Sequence, residues 1–406
     1  MADAFDIPLL ASHLANIPQA ATMAAAQRAR ALRAQGVDVI SLSLGEPDFA
    51  TPAHVIEAAH AAALRGETKY PPVDGTPALI GAIRRKFLRD SGLDFSPEQV
   101  LVGHGARQII YDALTCVLEP GSEIIIPAPY WNAYPIIAAM AGAKPVFVTC
   151  SEGDGFLPNP AALAAAITPR TRFLVLNYPN NPSGAVLSAA HLLAIAEALR
   201  PYPHVWIMAD DMYEHLIHSG AANATLAAVA PDLAARTLTI SGVSKTYAMT
   251  GWRVGFAAGP ARLIRAMSRI QGQSTGGVSP IAQAAAVAAL DGPQDLVAVM
   301  RATYAARAAR VALALNGVPG ISCRHPEGAF YVFPNVTGLL GRRSPAGRVL
   351  SSDADFTEAL VEEGHVAAVH GGAFGTPGHV RLSTAASDAE LGEAMRRLGA
   401  FCGGLS

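Results

Sequence analysis

Charge is scarce in this 406-residue sequence: Asp, Glu, Lys and Arg make up only 15%. The 30 basic and 32 acidic side chains nearly cancel, leaving a formal net charge of −2. No basic excess is available to attract nucleic acid or an anionic membrane surface. The shortage does not signal disorder, because hydrophobic residues reach 51% and can bury a core. Cysteine is rarer still. Cys116, Cys150, Cys323 and Cys402 are scattered without CxxC spacing. That excludes a disulfide framework and a zinc site, and it points to a reducing cytosol. No run of eighteen apolar residues escapes a charge, Gly, Pro or polar break, so no transmembrane helix is expected. The first 20 residues contain no Lys or Arg and lack the charged start of a signal peptide.

What the chain does have is alternation. At about 150 residues per domain, its length suits two to three domains. Short apolar runs at 123–127 (EIIIP), 145–148, 172–177 (RFLVLN), 205–209 (VWIMA), 237–241 (TLTIS) and 254–257 read as buried strands. Between them, 107–118, 134–141, 160–166, 189–199 and 260–271 read as helices. Strand alternating with helix predicts an α/β domain with a mostly parallel sheet. In such sheets, ligands bind beyond the carboxyl ends of the strands. The ends of the chain differ: helices are expected at 21–35, 296–315, 356–363 and 388–402, and strands at 39–42, 328–333 and 379–383. The two termini are read as one smaller α+β domain, with 338–352 as a surface loop.

The polar residues that carry chemistry follow the central strands. In SGVSKTYAMTGWRVG (241–255), Lys245 closes a turn after a strand, and Arg253 follows eight residues later. A lysine at a strand end is usually only solvated. Held among Gly, Ser and aromatic groups, its pKa falls and the amine is free to form a Schiff base. Arg253 offers a planar fork for a phosphate, with Ser241 and Ser244 adding hydroxyls; the bland alternative for Arg253 is an internal salt bridge. In ADDMYEHL (209–216), Asp210 can pair with a protonated ring nitrogen and Tyr213 with a phenolate oxygen, although an Asp after a strand is more often an N-cap. Asn181, in the turn LNYPNNPSG, can donate to the same oxygen or simply serve the turn. Gly105, Ala106 and Arg107, in VGHGARQ, open a helix whose free N–H groups suit an anion. The sequence is neither a Walker A loop nor GxGxxG. Trp131 or Tyr130 can stack on a flat ring or fill a core. Taken together, these groups fit a flat ring with a basic nitrogen, a phenolate, an aldehyde and a phosphate: pyridoxal phosphate.

With SLGEPDFATP (43–52), TKYPPVDGTPAL (68–79), EGAFYVFP (327–334) and VRLSTA (380–385) added to these segments, nearly the whole chain resembles a known family. It is similar to the fold-type I, class I pyridoxal-phosphate aminotransferases, in the branch of bacterial aspartate and aspartate/prephenate aminotransferases. The resemblance implies a large cofactor-binding domain (51–300) with a mostly parallel mixed sheet between helices. It also implies a smaller α+β domain formed by 1–50 and 301–406. By this likeness, Lys245 holds the cofactor and moves the proton, Asp210 pairs with the ring nitrogen, and Asn181 and Tyr213 hold the ring oxygen. Trp131 stacks on the ring. Gly105, Ala106, Arg107, Ser244 and Arg253 form the phosphate cup. Arg381 binds the substrate's α-carboxylate, with Gly45, Trp131 and Asn181 beside it. Tyr70 reaches the phosphate in a partner subunit, implying a homodimer with shared active sites. Two departures concern the substrate. Dicarboxylate-specific members often carry a basic residue at a position matched to Thr115, and prephenate-accepting members an arginine matched to Asn16. Arg342 or Arg343 is a candidate substitute. The likeness implies transfer of an amino group between an L-amino acid and a 2-oxo acid. A lyase or decarboxylase on the same scaffold is the alternative.

Overall fold

The computed structural model describes Ile17 and residues 21–406. Twelve strands are present among them. The first, β1 (Ile40–Ser41), lies in the N-terminal part. A central group comprises β2 (Val100–Gly103), β3 (Glu123–Ala128), β4 (Lys144–Thr149), β5 (Thr171–Asn177), β6 (Trp206–Asp210), β7 (Thr237–Gly242) and β8 (Gly255–Ala258). The last four are β9 (Tyr331–Val332), β10 (Val366–Ala367), β11 (Val369–His370) and β12 (Val380–Ser383).

The central seven form one sheet in the order β2-β8-β7-β6-β5-β3-β4. Every neighbouring pair is parallel except the two made by β8. This is the mostly parallel mixed sheet expected. The physical reason is burial on both faces: β2, β3, β6, β7 and β8 have almost no exposed position, so these strands read as continuous apolar runs. Edge strand β4 is half exposed. Alternate residues feed opposite layers. Ile124, Ile126, Val175, Met208 and Leu238 pack against helices Ala106–Val117 and Ala261–Ser274. Ile125, Leu174, Leu176 and Ile207 pack against Pro160–Ala165 and Ala189–Leu199.

The remaining strands pair separately, β1 with β10 and β11-β12-β9 as an antiparallel trio. One apolar cluster joins Ile40 and Leu42 to Val311, Leu315, Phe356, Leu382 and Phe401. The two ends of the chain therefore share a core. Residue 300 falls inside the helix Asp295–Asn316. Met300 and Tyr304 pack with Met212 and Tyr213, whereas Val311 and Leu315 pack in the terminal cluster. That helix therefore spans both clusters.

Three long helices lie where none is expected: Ala53–Leu64, Pro77–Ser91 and Pro280–Asp291. The strand expected at 328–333 shortens to Tyr331–Val332. The segment 338–352 carries little regular structure, yet Leu339 and Leu350 are fully buried. It is a loop anchored to the core at both ends rather than one lying only on the surface. Among the described residues no helix is long and apolar enough to cross a membrane, and all four cysteines are free.

Candidate functional site

Strand ends β5, β6 and β7 and the start of helix Ala106–Val117 meet around a cavity of about 250 Å³. Eleven expected residues line it: Gly45, Ala106, Arg107, Trp131, Asn181, Asp210, Tyr213, Ser244, Lys245, Arg253 and Arg381. Gly105 stands just behind, and Tyr70 does not line it; the Tyr70 side chain is fully exposed.

Lys245 follows β7 in a single helical turn, Val243–Thr246. Its Nζ donates to the Gly45 carbonyl at 2.5 Å. Burial, aided by Arg381, Arg253 and Arg107, pulls the amine down to about 8 despite the opposing Glu46. Asp210 ends β6. Its Oδ2 accepts from the Tyr134 hydroxyl and its Oδ1 from the Met212 N–H at 3.3 Å. Burial lifts its carboxyl to about 6, against these two hydrogen bonds. No helix begins directly after β6, so the N-cap alternative has nothing to cap; the Asp210 carboxyl takes the Met212 N–H of a turn and lines the cavity.

The glycine turn is built by close approach. A Cβ on Gly255 would lie 2.3 Å from the Ala106 N, and one on Gly105 would lie 2.6 Å from Arg253 Nη2. Arg253 adopts φ +59, a left-handed conformation unusual for a residue with a side chain. Its guanidinium is fixed by the carbonyls of Thr250 and His104. The first-turn N–H groups of Ala106 and Arg107 have no helical acceptor and open on the cavity. Ser244 also lines it, whereas Ser241 does not: its hydroxyl is taken by Glu214 on the far side of β7.

Arg381 is almost wholly buried, sandwiched between the rings of Tyr331 and Phe374 at 4.6 and 4.9 Å. Its Nη1 donates to Asn181 Oδ1 at 2.9 Å and its Nη2 to the Ser43 carbonyl at 2.6 Å. Its Nε is buried without a partner. Because Oδ1 of Asn181 is used this way, its amide nitrogen stays free for another acceptor. Asn177, at the end of β5, locks this corner by donating to the Asp210 carbonyl and accepting from the Asn181 N–H.

The sequence reading missed Tyr134, Asn177 and Tyr331. Tyr331 bonds Tyr213 hydroxyl to hydroxyl at 2.8 Å and packs its ring on Arg381. Its hydroxyl lies where a Gly45 side chain would sit. The segment EGAFYVFP pointed to it; only the strand pairing β9–β12, which sets Tyr331 opposite Ser383, brings it to the site.

The basic group on the helix after the glycine turn is also corrected. Thr115 lies near the far end of that helix and does not line the cavity. The helix's cation there is Arg107, whose guanidinium stacks 4.6 Å over the Trp131 ring. Burial and Arg253 lower its pKa. Arg342 and Arg343 do not line the cavity; the backbone of Arg343 pairs with Ser406. Asn16 lies outside the described residues.

The donor set fits pyridoxal phosphate on the geometry alone. A desolvated amine, a buried carboxyl and free helix N–H groups beside a guanidinium each await a partner of the right charge, and the orphaned Arg381 Nε leaves a place for a substrate carboxylate beside them.

Comparison with known proteins agrees. Residues 37–398 match the family model for aminotransferase class I and II. The chain is 47% identical over 396 residues to an aspartate aminotransferase of Rhizobium meliloti, covering 98% of this chain and 97% of that one. It is 49% identical over 397 residues to an aspartate/prephenate aminotransferase of Cereibacter sphaeroides, covering 98% and 99%. Two crystal structures align over nearly full length. The R. meliloti aspartate aminotransferase has TM-score 0.95 at 46% identity, covering 98% of this chain and all of that one. The Thermus thermophilus aspartate aminotransferase with maleate has TM-score 0.91 at 36% identity, covering 97% and 100%.

Proposed function

The chain belongs to the class I and II aminotransferase family, and on that premise we propose how its residues divide the work. It is a pyridoxal-phosphate-dependent enzyme that moves an amino group between an amino acid and a 2-oxo acid. The lyase alternative is not favoured. When bound, pyridoxal phosphate supplies the electron sink that no side chain offers, stabilising the charge left when the Cα–H bond breaks.

In this reading Lys245 Nζ would anchor the cofactor and, once released, would take up the proton from the substrate's Cα. Asp210, held by Tyr134 and Met212, keeps the proton on the ring nitrogen. The Asn181 amide and the Tyr213 hydroxyl hold the ring oxygen, and Trp131 covers the ring face. The Ala106 and Arg107 N–H groups, Ser244 and Arg253 bind the phosphate. Arg381 would grip the α-carboxylate and so fix the substrate's orientation, with the Gly45 backbone bounding the same subsite. The observation that carries this reading is a part-buried Lys245 amine, pulled down to about 8, in one cavity with Asp210 and three guanidinium groups. Tyr70, exposed and away from its own chain's cavity, supports a homodimer in which it completes the partner's site. The shared core of the two termini supports a small domain of 1–50 and 301–406 beside a large domain of 51–300. Four free cysteines support a cytoplasmic setting.

The substrate class follows from the cations. Arg253 faces the phosphate cup and Arg381 the α-carboxylate. Arg107 has no ion pair among the described residues, and it stands in the same cavity. An unmatched guanidinium there favours a second carboxylate, so we assign aspartate-like dicarboxylic amino acids and their 2-oxo acids as substrates. The T. thermophilus relative is solved with maleate, itself a dicarboxylate. Replacing Arg107 by Met keeps the stem on Trp131 and removes the charge. The kcat/KM for aspartate is expected to fall roughly 10- to 100-fold, the value of a charge-assisted pair, while that for alanine changes little. An equal fall for both would overturn the assignment.

A further inference from the structure

Asp210 and Asp211 are adjacent but face different spaces. Asp210 lines the Lys245 cavity, whereas Asp211 lines a second cavity of about 260 Å³. Asp90, Glu214, His215, Thr225 and Thr239 form its inner wall. Arg301 and the exposed turn at Gly220 form its mouth.

Three carboxylates converge on this space, and two have partners. Glu214 pairs with Lys86 Nζ at 2.5 Å and accepts from Ser241. Asp90 accepts from Arg89 at 2.7 Å and from His215 at 2.9 Å. Asp90, Glu214 and His215 bring ligand atoms within 4.8 Å of one another. Lys86, 3.7 Å from Asp90 as well, already occupies the position a metal ion would take among them. Asp211 makes no ion pair among the described residues. Its Oδ2 is buried with no hydrogen bond, and so are Thr225 Oγ1 and Thr239 Oγ1. These residues are 6%, 4% and 1% exposed. Native proteins rarely leave three buried oxygens facing one void without a partner. Burial and the repulsion of Glu214 push the Asp211 carboxyl up to about 8, against the opposing pull of the Thr225 side chain and the Lys86 charge. The titratable groups around it are Lys86, Arg89 and Asp90 from one helix, Asp210 at the end of β6, Glu214 and His215 from the segment after it, and Arg301 at the mouth.

We propose that this cavity is an alkali-cation site, in which Asp211 supplies a carboxylate oxygen and Thr225 and Thr239 supply hydroxyl oxygens to a bound Na⁺ or K⁺. The three oxygens are hard donors, which excludes soft metals, and the Asn223 amide, whose Nδ2 is likewise unpaired, lines the same space. Above about 8 the Asp211 carboxyl is ionised, and that one carboxylate matches one positive charge. The volume leaves room for water to complete the shell. The site lies outside the Lys245 cavity and is independent of the substrate reading.

The test is thermal unfolding of the holoenzyme in KCl, NaCl and tetramethylammonium chloride at equal ionic strength. One alkali salt is expected to raise Tm saturably by roughly 2–4 °C over the organic cation, and the better of the two identifies the ion. Asp211→Asn should abolish the difference; Thr239→Val, which keeps the shape, should weaken it and serves if Asp211→Asn does not fold. Crystals soaked in thallium(I) acetate should show an anomalous peak bounded by Asp211, Thr225 and Thr239. Equal Tm in all three salts, a salt effect untouched by both variants, or a soaked cavity without a peak would overturn the proposal.

Discussion

A lysine amine that titrates near 8 is set by desolvation, not by a partner carboxylate, and this has a kinetic consequence. Only the neutral amine attacks an aldehyde. Uptake of pyridoxal phosphate by the apoprotein should therefore quicken with pH and level off above about 8, as read from the absorbance of the bound cofactor. A midpoint near the ordinary lysine value of 10.5 would show that the amine is not desolvated. The sign for stability follows. Between about 8 and 10.5 the unfolded chain binds more protons at this position than the folded one, so the penalty of burying Lys245 fades as pH rises through that window. Lys245, Asp210, Asn181 and Arg381 were all legible in the sequence because each sits in a distinctive local motif. Tyr331 was not, because its role is a contact with Tyr213 and Arg381 that no local pattern encodes.

Between elements, the decisive feature is how closely β8 approaches the first turn of helix Ala106–Val117. Gly255 has no room for a side chain: its Cβ would meet the Ala106 N and the Gly105 carbonyl carbon at 2.3 and 2.4 Å. Gly255→Ala should destabilise the protein by about 1–3 kcal/mol, the usual cost of overpacking. It should weaken binding of pyridoxal phosphate more than binding of pyridoxal, measured as two dissociation constants. Equal weakening of both would separate this contact from the phosphate. Helices show the same split between local and non-local information. Pro77–Ser91 carries its own end signals: Thr76 accepting from the Leu79 N–H, Pro77 in the first turn, and Gly92 at φ +70. It was legible though not expected. Ala53–Leu64 and Pro280–Asp291 are alanine-rich and pack through Ala59, Ala282, Ala285 and Ala286. Small residues on several faces blur the periodicity by which helices are recognised.

For the whole molecule, the role proposed for Tyr70 bears on whether one chain makes a complete site. It is fully exposed, yet in the proposed homodimer it serves its neighbour. Mixing the Lys245→Ala and Tyr70→Ala variants under conditions that let subunits exchange should yield more activity than the two contribute separately, because a mixed dimer keeps one site with both groups. No gain in an assay with aspartate and 2-oxoglutarate would mean that each chain works alone. The terminal body depends on distant segments as well: Arg381 on β12 reaches Asn181 and Ser43, 200 and 338 residues away along the chain.

The sequence by itself determined the parallel sheet, because strands buried on both faces must be apolar throughout. It also determined the main chemical groups, because glycine turns and strand ends hold them in short motifs. Only the tertiary structure decided that Arg107 rather than Thr115 brings the extra cation into the cavity, that Ser241 serves Glu214 rather than the site, and that Asp211 turns away from Asp210 into a space of its own. Those outcomes depend on which face a side chain takes and on what the rest of the chain has already placed there, and spacing along a sequence does not record either.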